Sequence, residues 1–233
     1  MRSLYLFAAL TASASTVFAQ SAPSDEEVIK QIFDEALSHG TAFSNLSDLV
    51  AHYPGRLSGS KNLEGAIVWG QGALKTAGAD KVFTQETMVP HWERGPAESV
   101  KIVGGDALTC LALGGSVPTP PEGISAQVVE VKSLAEVEQL GREKLAGKIV
   151  FFNRPFDPTL VSTFNAYAGA VDQRAGGPSA SAKVGAVAVV VRSMTLSHDD
   201  VPHTGALSYA PDVTKIPAAA ISWLAADRLS AAL

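Results

Sequence analysis

The chain's 233 residues are 46% hydrophobic, carry a net charge of −5 and include one cysteine, Cys110. A lone cysteine excludes a disulfide-stapled scaffold, so apolar burial must hold the core. An acidic balance with no Lys/Arg cluster argues against nucleic acid and anionic membrane surfaces as partners.

Arg2 precedes an apolar run from Leu4 to Leu10, and small residues lead up to Val17, Phe18 and Ala19. This is the pattern of a secretory signal peptide cleaved after Ala19, so the remainder is expected to be exported. The run is too short to cross a bilayer well, and no membrane span is expected. Ser24 and Glu27 then have the spacing of a capping box. Val28, Ile29, Ile32, Phe33, Ala36 and Leu37 recur at helical intervals up to Gly40. A second helix is expected from about Phe43 to Ala51, broken by Pro54-Gly55. A third is capped by Ser60, carries Leu63, Ile67, Trp69 and Leu74, and is stopped by Gly78. The β-branched and aromatic content of residues 81–89 predicts a strand.

Beyond His91 the composition changes. Strands are expected at 98–103, 107–113, 125–131, 148–153 and 186–191, between Gly/Pro turns. Helices are expected from Ser133 to about Gly141 and over 178–184. Continuous apolar runs such as Val187-Ala-Val-Val-Val191 suit strands covered on both faces. A last helix, capped by Ser222, is expected to use Leu224, Leu229 and Leu233. Cys110, within Leu108-Thr-Cys-Leu-Ala-Leu113, reads as a small buried hydrophobe rather than a reactive thiolate.

Short motifs yield little catalytic chemistry. A Gly-x-Ser-x-Gly elbow needs glycine two places before Ser58, where Arg56 stands. Gly147-Lys148 lacks the Ser/Thr of a phosphate loop, because Ile149 follows. His91-Trp-Glu93 matches the His-x-Glu of zinc deaminases but has no cysteine pair to complete it. His198-Asp199-Asp200 has His-x-Asp spacing without further acidic partners, which makes it a solvated polar loop.

Three blocks carry a resemblance. Pro54-Gly-Arg-Leu-Ser-Gly-Ser-Lys-Asn-Leu-Glu-Gly65, Pro90-His-Trp-Glu-Arg-Gly95 and Thr119-Pro-Pro-Glu-Gly-Ile124 resemble, in order and spacing, the amino-terminal half of the carboxypeptidase Q family. That family, also called plasma glutamate carboxypeptidase, comprises dizinc exopeptidases. The resemblance implies an α/β fold in which residues 20–92 form the amino-terminal part of the catalytic domain, with its first strand. Residues 93–233 then look like a β-rich protease-associated (PA) insert, and residues 1–19 are the signal peptide. The implied activity of the whole enzyme is hydrolysis of terminal peptide bonds in small peptides. Two zinc ions would clamp the carbonyl and activate a bridging water.

The family's metal ligands are expected past Leu233, so this chain is expected to bind no zinc and to be inactive alone, with no catalytic or metal residue of its own. His91, Trp92, Glu93, Arg94 and His203 are candidates for the wall of the substrate cleft. In the alternative packing role, Trp92 fills the domain junction while Glu93 and Arg94 pair with each other or cap backbone groups. The implied partner is a peptide substrate, with a second copy of the chain, as a homodimer, a further candidate. A secreted, non-enzymatic PA-type binding module is the competing reading.

Overall fold

Ser24 starts the first helix as its sequence dictates. Its hydroxyl accepts from the Glu27 amide at 3.3 Å, while the Glu27 carboxylate accepts from the Ser24 amide at 2.8 Å. The computed structural model describes residues 22–95 and 97–233, so the expected signal peptide lies outside the described residues. The chain divides into two compact units. One runs to Gly55 and resumes over Gly65–Thr84; the other comprises Arg56–Glu64 and Gln85–Leu233.

The first unit is helical, with α1 at Asp25–His39, α2 at Ala42–His52 and most of α3, Lys61–Thr76. The indole of Trp69 donates to Asp48 at 2.5 Å, and Gly65 lets α3 approach the Tyr53 ring more closely than any side chain would permit. None of the three helices has a buried residue. Ile32, Phe33 and Leu37 on α1 and Phe43, Leu46 and Val50 on α2 are exposed, Leu37 to 84% and Phe43 to 81%. An amphipathic helix gains most of its stability by burying such a stripe, so these faces lack a partner surface in this unit.

The strand expected over 81–89 does not form. The segment has no regular structure and pairs with no strand among the described residues. Composition can favour an extended backbone, but a ladder also needs a neighbouring row of amides and carbonyls.

The second unit follows the α/β pattern. A hairpin of two-residue strands, β1 Val100–Lys101 and β2 Ala107–Leu108, turns through Gly104 at φ 76°. Next come β3 Cys110–Ala112, β4 Val128–Val131, α4 Leu134–Leu145 and β5 Ile149–Phe152. They are followed by α5 Thr163–Ala168, α6 Asp172–Ala175, α7 Gly177–Lys183, β6 Ala188–Arg192, β7 Ala218–Ile221 and α8 Trp223–Ala231. The sheet order is β3-β7-β6-β5-β4, parallel from β4 to β7, with β3 antiparallel on the edge.

Both faces are covered, as the apolar runs require. On one face Phe152, Val150, Val189 and Val191 pack with Val137 and Leu145 of α4 and with α7. On the other, Phe151, Val190 and Ile221 pack beneath Ala225, Ala226 and Leu229 of α8.

Three expectations change here. The run at 107–113 splits at Thr109 into strands of two different sheets. Helix α4 passes the expected stop, bending at Gly141 (φ 57°) and continuing to the buried Leu145. Helix α8 buries Leu229 as expected but otherwise Ala225 and Ala226, whereas Leu224 and Leu233 stay exposed, because small side chains let the helix sit close over Phe151 and Val190.

Candidate functional site

Strand β3 sits on the edge of the sheet, and its outward groups at Ala112 would be open to another strand. Side chains close them instead. The Ala112 amide donates to Glu98 at 3.2 Å, and the Ala112 carbonyl accepts from Arg94 at 2.9 Å and from Thr204 at 2.8 Å. Arg94 also pairs with Glu98 at 2.6 Å. Its guanidinium lies 5.0 Å from the centre of the Trp92 ring, and the indole of Trp92 donates to the Ser116 carbonyl at 3.0 Å.

The Trp92–Arg94 and His203–Gly205 segments, more than a hundred residues apart in sequence, are therefore fastened to the same stretch of chain. The second is anchored further. The His203 amide donates to the Ser193 hydroxyl at 2.7 Å, which itself donates to the Ile221 carbonyl at 2.7 Å. Gly114 and Ala206 form a parallel bridge.

The five candidate residues thus have different roles. Trp92 and Arg94 are half-buried and fully engaged, while His91, Glu93 and His203 are exposed. Glu93 does not pair with Arg94 but faces His91 at 3.3 Å; Arg94 takes Glu98 and bonds the Ala112 backbone carbonyl, the capping role that the packing reading also allowed. The imidazole of His91 lies against Gly59, where an added Cβ would come within 2.6 Å of Nδ1. The turn at Ser58–Ser60 therefore serves as a seat for His91, and the Ser60 hydroxyl accepts from the Leu63 amide at 3.2 Å as the cap of α3.

A second polar cluster occupies the carboxyl ends of β4, β5 and β6, beneath α8. Its centre is Arg192, 5% exposed at the end of an apolar strand. Arg192 donates to the side-chain oxygen of Asn153 and to Asp227 at 2.5 Å, with its guanidinium 4.6 Å from the Trp223 ring centre. Asn153 in turn donates to Glu130 at 2.8 Å, which also takes bonds from Lys132 and from Ser230 at 2.6 Å. Burial would raise the Glu130 carboxyl, but the bonds from Lys132, Ser230 and Asn153 outweigh it and hold the group below the usual range. Reading the sequence alone passed over Arg192. The available signal was a guanidinium closing the run Val189-Val-Val-Arg192, which must find partners once the strand is covered on both faces.

His198-Asp199-Asp200 is more than a solvated loop. His198 stacks on Trp223 with ring centres 4.5 Å apart and planes 15° from parallel. Asp200 accepts from Thr109 at 2.8 Å and from the Ser222 hydroxyl, the group that caps α8 by accepting from the Ala225 amide at 3.0 Å. Those hydroxyls, with Arg228, hold the Asp200 carboxyl below the usual aspartate range.

A carboxyl lowered by folding adds stability above its unfolded pKa and loses it as pH falls through the folded value. Wild-type protein should therefore lose more melting temperature between pH 7 and pH 3 than Asp200→Asn does. Equal losses, measured by thermal unfolding at the two pH values, would remove Asp200 from the acid response.

Among the described residues no group of three or more His, Cys, Asp or Glu side chains is placed to hold a metal ion. Cys110 is half-buried on the β3 edge, and burial pushes its thiol up, away from thiolate chemistry.

No protein-family model matches the chain. It is 40% identical over 210 residues to carboxypeptidase Q of Xenopus laevis, a match covering 88% of this chain and 43% of that protein. The human carboxypeptidase Q is 37% identical over 208 residues, covering 88% and 42%. A crystal structure of a peptidase M28 precursor from Shewanella amazonensis superposes with a TM-score of 0.81 at 32% identity, over 88% of this chain and 46% of that one. Over the residues it spans, the chain belongs to the carboxypeptidase Q family.

The chain spans about two-fifths of the length of the carboxypeptidase Q relatives it matches. A zinc aminopeptidase from Bacillus subtilis shares the fold alone, with a TM-score of 0.53 at 19% identity over 81% of this chain and 40% of that one. Among the described residues, no helix of this carboxypeptidase Q homologue is long and apolar enough to cross a membrane.

Proposed function

We propose that this chain is the amino-terminal part of an exported zinc metallopeptidase of the carboxypeptidase Q kind. Residues 20–92 contribute helices to the catalytic α/β domain, and residues 93–233 form a PA-like insert. The complete enzyme hydrolyses terminal peptide bonds of small peptides with two zinc ions held by residues outside this chain. Within the chain, His91, Trp92, Glu93, Arg94 and His203 contribute to a cleft wall for peptide, and no residue here acts on the scissile bond.

The observation that carries this reading is the match of 88% of the chain to two-fifths of its carboxypeptidase Q relatives. The bare apolar faces of α1 and α2 support it, since the rest of an α/β domain would cover them.

The test compares the 233-residue chain with a protein carrying the remaining length of its relatives. Zinc is measured by atomic absorption, dipeptide hydrolysis by product release, and exposed apolar surface by dye binding. The longer protein should hold zinc, turn over dipeptide in a chelator-sensitive way and bind less dye per mole. The short chain should hold no zinc and give no turnover above blank. Turnover by the zinc-supplemented short chain, or a longer protein without zinc or activity, would sink the proposal. The second of these outcomes fits the non-enzymatic module instead.

A further inference from the structure

The hydrogen bonds at Ala112 do more than close a sheet edge. One carbonyl accepts from Arg94 and from Thr204, and the same residue's amide donates to the carboxylate that pairs with Arg94. Loss of any one member frees a charged or carbonyl group that its neighbours are oriented to meet. The backbone groups of Ala112 face outward because the ladder to β7 uses alternate residues: just beyond β3 Leu113 donates to Ala218, and just before it Thr109 accepts from Ser222. No strand competes for the outer groups among the described residues.

We propose that Arg94, Glu98 and Thr204 act as one positioning clamp on the outer edge of β3. The clamp sets the His203 segment against the Trp92–Arg94 segment, and so fixes the shape of the cleft wall. Its role in the cleft rests on the functional reading above; the clamp itself rests on the hydrogen bonds alone. Arg94 suits this position because a guanidinium can meet a carboxylate and a carbonyl together while stacking on an indole, which an ammonium cannot do. Thr204 supplies the link that neither Trp92 nor His203 makes. None of the three is a catalytic residue.

Amide hydrogen exchange of the 233-residue chain tests the clamp, using Arg94→Ala, Thr204→Val and Thr204→Ser variants that retain cooperative unfolding. Three amides report. Ala112 donates to Glu98, His203 donates to Ser193, and Leu207 donates to Gly114.

Arg94→Ala should speed exchange about tenfold at His203 and Leu207 as well as at Ala112, and Thr204→Val should speed Ala112 by a similar factor. Thr204→Ser keeps the hydroxyl and should match wild type. An Arg94→Ala effect confined to residues 92–112 overturns the clamp. Should Arg94→Ala not fold, an unchanged Ala112 amide in Thr204→Val overturns it equally.

The cleft role is read in the longer, zinc-loaded protein, where Thr204→Val should raise KM about tenfold with kcat changed less than twofold. Coupled exchange with KM unmoved overturns the cleft role and leaves the clamp a structural edge closure. Uncoupled exchange overturns the clamp whatever the kinetics do.

Discussion

Arg192→Ala is expected to destabilise the second unit by about 3 kcal/mol. Opposing terms set the size. Truncation strands the Asn153 side-chain oxygen, on a residue only 3% exposed, and empties the space against the Trp223 ring. It also removes a guanidinium nitrogen that is itself buried without a partner, which returns part of the loss. The stranded acceptor and the cavity outweigh that gain, because each costs about 1–3 kcal/mol in a packed interior.

Arg192→Met, which fills the volume without charge, should recover part of the loss. Asp227→Asn should cost no more than about 1 kcal/mol, since Asp227 is 55% exposed on its side chain and its pairing is screened. Urea unfolding followed through tryptophan fluorescence checks the series. Arg192→Ala within 1 kcal/mol of wild type would mean that the cluster under α8 is solvated rather than closed.

What the sequence disclosed divides by the range of the interaction. Ser24 with Glu27, Ser133 with Glu136 and Ser222 with Ala225 are bonds across three residues, and each helix start was readable from its own segment. The buried parallel strands were readable for a different reason: no local alternative suits five apolar residues such as Val187–Val191 once both faces are covered. Residues 81–89 looked equally strand-like and formed none, because pairing depends on a partner elsewhere. Helices α5 and α6, of six and four residues, were missed because they are too short to show a helical period.

The candidate site follows the same division. Trp92, Arg94 and His203 were singled out by residue type and position in the chain. That Arg94 would choose Glu98 over Glu93, and share Ala112 with Thr204, depends on the placement of β3 at the sheet edge. Asp200 was set aside as solvated because its two hydroxyl partners, Thr109 and Ser222, are 91 and 22 residues away.

Phe152→Ala should be the most damaging single truncation on the α4 and α7 face, at about 3–5 kcal/mol. Phe152 is fully buried at the end of β5 and packs in the larger core cluster. Its ring also sets how near α7 can come. A Cβ placed on Gly177 would lie 2.8 Å from the ring's Cε2 and 3.1 Å from Cζ, so the helix start can pass only as glycine.

Gly177→Ala is therefore expected to cost about 1–3 kcal/mol through overpacking against a ring that has nowhere to move. The two changes should not add. In Gly177→Ala/Phe152→Leu the smaller aliphatic side chain vacates part of the contested space, and the double variant should be less destabilised than the sum of its parts.

The consequence reaches the candidate site through Ser179 on α7. Its hydroxyl donates to the Ser208 carbonyl at 3.2 Å and accepts from the Ala210 amide at 2.9 Å, just beyond the His203 segment. If α7 is displaced by Gly177→Ala, exchange at the Ala210 amide should rise along with the fall in urea midpoint. A drop in midpoint with Ala210 protection unchanged would confine the strain to the core and disconnect α7 from the loop that carries His203.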